Sequence, residues 1–412
     1  MMQVLRFSEF ETHIENGKIG DLVETLNSGV SVNSYDYPIE NDESTGILKT
    51  SSIANGFFFV DENKKVIEGD LQRVKNSLRK DTILVSRMNT PALVGEVGYI
   101  DKNYDNLFVP DRLWVLKANY KCFPKWLTYM LIAPRTKSAI KNRATGTSAS
   151  MKNISKPSFL NIKIPIPYYE EQQKIANFLS SVDKKISLLK EKHALLTQYK
   201  KGMIQKLFKQ EIRFKDENGN AFPDWELKPL SKLADKNSLK NKDNAVNAVL
   251  TNSAKSGIVN QGDYFNKDIA NQGNLTGYTV VEKNDFIYNP RISVLAPVGP
   301  IKRNHIGQGV MSPLYTAFRF KDESVLDYLE QYFNTTMWHR YMHSIANFGA
   351  RHDRMNITSA DFYALPIPLP CEDEREKIVS FIKALETKVN AVKEQIELTE
   401  TFKKGLLQQM FV

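Results

Sequence analysis

Four stretches of this chain bring together residue types that could do chemistry. His339 and His343 stand four apart on a helix-forming stretch and His352 follows, which is the spacing of a zinc pair. The string between them is His339-Arg340-Tyr341-Met342-His343, so the glutamate that would activate a zinc-bound water is missing. Histidines at the surface, near a polyanion, are the better reading. Pro223-Asp224-Trp225-Glu226-Leu227-Lys228 superficially matches the PD…ExK pattern of nucleases. Carboxylates and a lysine that share a metal must come from neighbouring strands, and here they adjoin on one segment. Tyr288-Asn289-Pro290-Arg291 lacks the second proline and the aromatic residue of an amino-methyltransferase motif, and no glycine-rich cofactor loop accompanies it. Gly17-Lys18 lacks the earlier glycine and the hydroxyl residue of a phosphate-binding loop. No metal, no cofactor and no catalytic residue is therefore expected on this chain.

Basic and hydroxyl side chains in the globular parts remain as candidates. Arg87 follows a strand, and Lys141, Arg143, Thr147, Ser148 and Lys152 lie around Gly146, beyond a helical stretch. In the second half Arg291 takes the place of Arg87, while Arg340, Arg351, His352 and Arg354 fall in the region of Gly349 and the helix before it. Arginine can grip guanine O6 and N7 with two hydrogen bonds, and lysine and hydroxyls hold phosphates. Glycine at 146 and 349 would allow close backbone approach. These residues are the candidates for contact with double-stranded DNA. An ion pair or a solvated strand end explains Arg87 and Arg291 about equally well.

The elements that must position them come in duplicate. Residues 162–208 and 365–411 align without a gap at an offset of 203, with 16 of 47 pairs identical, among them Pro165/Pro368, Lys174/Lys377, Phe178/Phe381, Lys200/Lys403 and Phe208/Phe411. Upstream the likeness thins, then returns at offset 204 as Asp81/Asp285, Ile83/Ile287, Arg87/Arg291 and Gly95/Gly299; each half opens with Arg-Phe, at 6–7 and 213–214. One unit of roughly 205 residues is thus used twice, a divergent globular part followed by a closely matched tail.

Ile175, Leu179, Val182, Ile186 and Leu189 step by four and three, as do Ile378, Ile382, Leu385, Val389 and Val392, and both seams run on to 207 and 410. That rhythm predicts two long helices packed as an antiparallel coiled coil about a pseudo-twofold axis. The competing reading packs each helix on its own globular part. Each follows a Pro-x-Pro element that should be extended, and the acidic first turns suit the positive end of a helix dipole. His193, Lys200, Thr399 and Lys403 interrupt the seams and read as register-setting polar positions. Runs at 46–50, 57–60, 82–86 and 113–116 read as strands, and 126–141 and 325–345 as helices, giving an α+β fold in each globular part. The stretch 216–220 reads as a linker loop.

The order of divergent part, Ile164-Pro165-Ile166-Pro167 helix ending in Tyr199-Lys200-Lys201-Gly202, Arg213-to-Trp225 linker, second divergent part and second such helix resembles the specificity subunit of Type I restriction-modification enzymes. The second tail departs from it with Arg375-Glu376 in place of Gln172-Gln173, and the opening segment has no equivalent of Trp225. The resemblance implies target recognition domains at 1–161 and 213–364 and conserved spacer helices at 162–212 and 365–412. It further implies a non-catalytic subunit in which each domain reads half of a bipartite DNA site. The helices would dock two modification (methyltransferase) subunits, and ATP-dependent restriction subunits would join them. A duplicated coiled-coil adaptor that binds proteins rather than DNA is the alternative.

Composition fits both. The 412 residues, 42% hydrophobic and 25% charged, suffice for two or three cored domains. A net charge of +9 admits a polyanionic partner, although 162–212, with ten basic against five acidic residues, holds most of the excess. Cys122 and Cys371 lie in no ligand or disulfide spacing, which favours free thiols in a reducing compartment. The first residues lack the apolar core of a signal peptide and no apolar run nears the ~18 residues of a membrane span, so a cytoplasmic protein is expected.

Overall fold

The computed structural model describes residues 5–10, 14–41, 43–146, 150–264, 275–346 and 353–411. Thr82–Ser86 and Phe286–Tyr288 are buried along their whole length, as their apolar centres, Ile83 to Val85 and Phe286 to Tyr288, suit a central strand. Each is the second strand of a four-stranded antiparallel sheet. In the first sheet the order is Val97–Ile100, Thr82–Ser86, Leu113–Ala118, Val23–Ser28. In the second it is Ile301–Arg303, Phe286–Tyr288, Thr316–Phe320, Ala234–Asn237. The same topology from such different sequences is the fold-level form of the internal repeat. The strands beside these sheets differ. The first half adds a sheet ordered Asn63–Lys65, Gly46–Leu48, Tyr104–Phe108, Ser77–Leu78, whereas the second adds two separate pairs, Leu250–Ser253 with Gly257–Asn260 and Thr279–Val281 with Gly309–Met311. Helices pack on sheets in both halves, so the fold is mixed α and β.

The helical stretches are shorter than the sequence pattern indicates. The one expected at 126–141 is two helices, Pro124–Ile132 and Pro134–Arg143. Pro134 has no N–H to donate inside a helix but fits its first turn, so the chain restarts there. The stretch 325–345 likewise divides into Leu326–Phe333 and His339–Ile345, with Thr335 donating its hydroxyl back to the Tyr332 carbonyl between them.

Both Pro-x-Pro elements are extended. Lys163–Ile166 pairs antiparallel with Glu15–Lys18, and Pro366–Leu369 with Glu226–Pro229. Two-stranded ribbons tolerate proline because one edge needs no donor. After them run the two long helices, Tyr169–Phe208 and Glu372–Met410. Every predicted seam position on them is buried or half-buried, Leu179, Leu207, Ile378 and Ile382 most deeply.

Contacts divide the chain into two compact units, residues 1–191 with 393–412, and 192–392. Each long helix therefore contributes to both. In the first unit one core joins Trp114, Trp126 and Phe159 to Ile175, Leu179, Val182 and Ile186, and closes with Leu406, Met410 and Phe411 from the end of the second helix. In the other unit Phe286, Phe318, Tyr328 and Phe362 pack with Ile378 and Ile382, and with Ile204 and Phe208 from the end of the first helix. Packing on its own globular part and packing beside the other helix are thus not exclusive: each helix does both. The matched ends of the tails, Phe208 and Phe411, are core residues.

The seam lysines are paired. Lys403 binds Asp183 at 2.6 Å in the first unit, and Lys200 binds Glu386 at 2.6 Å in the other. Donors and acceptors are related by the same offset of 203, so each helix gives and receives the same ion pair.

The Arg-Phe openings hold each globular part to its helix. Arg6 donates to both oxygens of Glu171, at 2.9 and 2.7 Å, and Phe7 meets Phe178 edge-on. Arg213 donates to both oxygens of Glu374, at 3.1 and 2.8 Å, and Phe214 meets Phe381 edge-on. Both carboxylates are fully buried, and hydrogen bonding to them raises both guanidinium pKa values against the opposing effect of burial. Among the described residues only Glu374 has a further donor, Trp225 Nε1 at 2.8 Å. The acidic turns were expected to serve the helix dipole; two of those carboxylates are instead buried anchors. Next to them Gln172 and Arg375 do matching work with different chemistry. Gln172 donates to Pro167 O and accepts from Phe123 N, while Arg375 donates to Pro370 O and reaches Ser324.

The segment 216–220 is a loop closed by Asp216, which accepts from the Asn218 and Asn220 amides. Cys122 and Cys371 are free thiols, and burial pushes the Cys122 thiol up to about 12. No helix among the described residues is long and apolar enough to cross a membrane.

Candidate nucleic-acid interface

Each central strand runs out into a loop that starts with an arginine and ends on a glycine. The loop is 87–95 in the first unit and 291–299 in the other. Gly95 and Gly299 have φ of +80° and +79°, a conformation that side chains with a Cβ rarely adopt. A Cβ on Gly299 would also lie 2.1 Å from the Asn289 carbonyl. The turn that returns the chain to the sheet therefore requires glycine in both.

A second loop lies against the base of each. In the first unit Thr145 and Asn153 exchange backbone hydrogen bonds at 2.9 and 2.7 Å, and Lys152–Asn153 pairs with Met88–Asn89. Ile154 N donates to Arg87 O. In the other unit Met355 N donates to Pro290 O, Ile292 N to Asp353 O, and Arg291 bridges to Arg354. The structure thus brings Arg87 together with Lys152, and Arg291 with Arg354, across more than 60 residues of chain in each case. Buried Arg87 Nε and Asn153 Oδ1 have no hydrogen-bond partner among the described residues. Arg354 Nε lies 3.5 Å from Asp353 Oδ1, and hydrogen bonding from Arg354, followed by its charge and that of Arg291, holds the Asp353 carboxyl below its usual range. The cationic side chains at the foot of each loop pair suit a polyanionic ligand.

The remaining candidates are spread more widely. Lys152 donates to Gly146 O at 3.3 Å, and a Cβ on Gly146 would lie 2.4 Å from Met151 O, so this glycine serves the loop's own closure. Arg143 is exposed at the end of its helix. Lys141 lines a separate cleft of about 980 Å3 with Phe57, Phe59, Lys137, Lys190 and Lys403. The acidic groups there, Asp183 and Glu400, are already paired with Lys403 and Lys190. Arg340 is exposed on the helix His339–Ile345, a different element from the Arg291–Arg354 pair. Thr147, Ser148, Arg351 and His352 lie outside the described residues, as does Gly349. His339 packs edge-on against Trp338, and burial and then His343 lower its pKa. Among the described residues no three His, Cys, Asp or Glu side chains converge on a metal position.

Residues 12–198 match the family model of the Type I restriction modification DNA specificity domain. Over 95% of the chain there is 25% identity to the Methanocaldococcus jannaschii chain assigned as the type I restriction enzyme MjaX specificity subunit, covering 91% of that protein. A 103-residue stretch, 24% of each chain, is 37% identical to the type I restriction enzyme MjaVIII specificity subunit of the same organism. Residues 12–198 thus resemble a type I restriction-modification DNA specificity domain, and the similarity to the MjaX chain runs over nearly the whole length. The fold of this chain is similar to that of solved S subunits. The HsdS subunit from Thermoanaerobacter tengcongensis superposes with a TM-score of 0.52 at 17% identity, over 97% of this chain and 96% of that one. The type I S subunit from M. genitalium gives 0.52 at 16% identity, over 100% and 99%. The long helices of this chain also carry exposed apolar pairs at matching places. Leu195 and Tyr199 on the first are 59% and 51% exposed, and Leu398 and Phe402 on the second 62% and 54%. The heptad rhythm does not mark them, because they lie off the seam; their shared offset of 203 is the signal that could have found them.

Proposed function

We propose that this chain is the non-catalytic, sequence-reading subunit of a type I restriction-modification assembly. Residues 1–161 and 213–364 are its two target recognition domains, and each reads one half of a bipartite duplex site. Segments 162–212 and 365–412 are spacer helices paired as an antiparallel coiled coil. They relate the domains by pseudo-twofold symmetry and fix the separation and helical phase of the half-sites, since a duplex advances 3.4 Å per base pair. The observation that carries the reading is the loop pair, built twice on the same sheet with the same closing glycine but different residues at its tip. A scaffold kept while its outward tip changes is what two different half-sites demand.

The exposed pairs Leu195/Tyr199 and Leu398/Phe402 support docking of two equivalent modification subunits, one on each helix. Those subunits bring S-adenosylmethionine and methylate adenine, and ATP-dependent restriction subunits complete the assembly. Phosphate contact alone is a weak grip here, because 1–161 and 213–364 are only mildly basic. Closure of the modification subunits around the duplex supplies the rest. Footprinting the complex of this chain with its modification subunits tests the reading: two short protected blocks with an indifferent gap are expected, lost steeply as salt rises. A single continuous block, or binding without sequence preference, overturns it.

A further inference from the structure

The loop 291–299 ends in the tightest and most apolar tip of the two. Ser293 and Ala296 exchange both backbone hydrogen bonds, at 3.0 and 3.1 Å, which leaves Val294 and Leu295 as a two-residue turn. Val294 is 98% exposed and Leu295 70%. The base beneath them is fixed by buried amides: Asn289 accepts from Arg291 N and donates to Asn252 O, and Asn252 donates to Ile287 O and Pro300 O. Tyr288 OH donates to Val298 O, tying the returning limb to the strand. Water gains nothing from a bare valine and leucine held this rigidly, and at the foot of the loop stand Arg291 and Arg354. At the same place in the first unit the tip is Thr90-Pro91-Ala92-Leu93, a wider turn in which Leu93 and Val94 amides donate to Thr90 O.

We propose that the Val294-Leu295 tip reads the 5-methyl group of a thymine in the half-site of residues 213–364, with Arg291 and Arg354 on the flanking phosphates. The proposal rests on the DNA-reading function above. Among base edges in the major groove only thymine presents an apolar group, and neither tip side chain can donate or accept a hydrogen bond. A two-residue turn projecting from an arginine-flanked base is narrow enough to enter that groove, and the charge of the base matches the phosphates on either side. The Thr90 tip of the first unit carries a hydroxyl and therefore has no such restriction.

The test uses the full complex with its modification subunits. Its bipartite site is first mapped, and failure to find one counts against the DNA-reading function itself. Each thymine of the half-site assigned to 213–364 is then replaced singly by deoxyuridine in the binding duplex. One replacement is expected to weaken binding of the natural protein about fourfold, the worth of one buried methyl. A Val294→Ser, Leu295→Ser variant should bind thymine and deoxyuridine duplexes alike, with the other half-site read unchanged. A half-site without any A·T pair overturns the proposal. So does indifference of the natural protein to every deoxyuridine, undiminished thymine preference in the variant, or a variant that loses only its modification subunits, which would make the tip a protein contact.

Discussion

The two units share a sheet, a loop pair and a buried arginine–carboxylate anchor, yet they differ at both ends of that scaffold. At the loop tips Val294-Leu295 replaces Thr90-Pro91-Ala92-Leu93, and beside the central sheet stands a four-stranded sheet in the first unit and two strand pairs in the other. At the anchor Glu374 is held by Arg213 and Trp225, whereas Glu171 has Arg6 and no tryptophan. Variation at the tips is free because the tip side chains are exposed. Variation at the anchor is confined to added donors, since a fully buried carboxylate cannot lose its arginine cheaply.

The largest break in that comparison should come from Arg6→Ala. It removes both arginine bonds from buried Glu171, a loss of about 3–5 kcal/mol for an orphaned internal charge. Hydrogen exchange read separately over the two units should show the lost protection in 1–191 and 393–412, and equal loss in 192–392 would contradict independent anchoring. The paired seam lysines give a finer contrast. Lys403 and Asp183 are only 12% and 15% exposed, against 24% and 42% for Lys200 and Glu386. Lys403→Met is therefore expected to cost about 1–3 kcal/mol and Lys200→Met below about 1 kcal/mol in chemical denaturation. Reversal of that order would show that burial does not set the strength of these pairs. The smallest effect on folding belongs to Leu195→Ser with Tyr199→Ser, within about 0.5 kcal/mol because both are exposed. Native mass measurement should nevertheless find one modification subunit fewer on the complex, and retention of both would remove these residues from the docking surface.

Much of the scaffold was legible in sequence because its rules are local. The four-three rhythm of Ile175 to Leu189 and Ile378 to Val392 marks the buried faces of both long helices, and Pro165 and Pro368 mark the extended elements before them. Arg6-Phe7 and Arg213-Phe214 identify where each half starts, although not why. The reason is three-dimensional: their partners Glu171 and Glu374 lie more than 160 residues on, in acidic first turns that look like ordinary dipole partners. The break at Pro134 was missed for the opposite reason, since helical periodicity on either side outweighed a proline that fits a first turn. Of the candidate contacts, equivalence placed Arg87 and Arg291 at corresponding loops. Their pairing with Lys152 and Arg354 depends on loop-to-loop hydrogen bonds that no sequence spacing encodes.

Two reading modules on one duplicated scaffold are tested most directly by mapping methylated adenines across the host genome with and without the gene for this chain. Two short specified blocks, different from each other and separated by a gap of fixed length and free sequence, are the predicted result. Methylation at one continuous site, or a map that the gene's removal leaves unchanged, would contradict it.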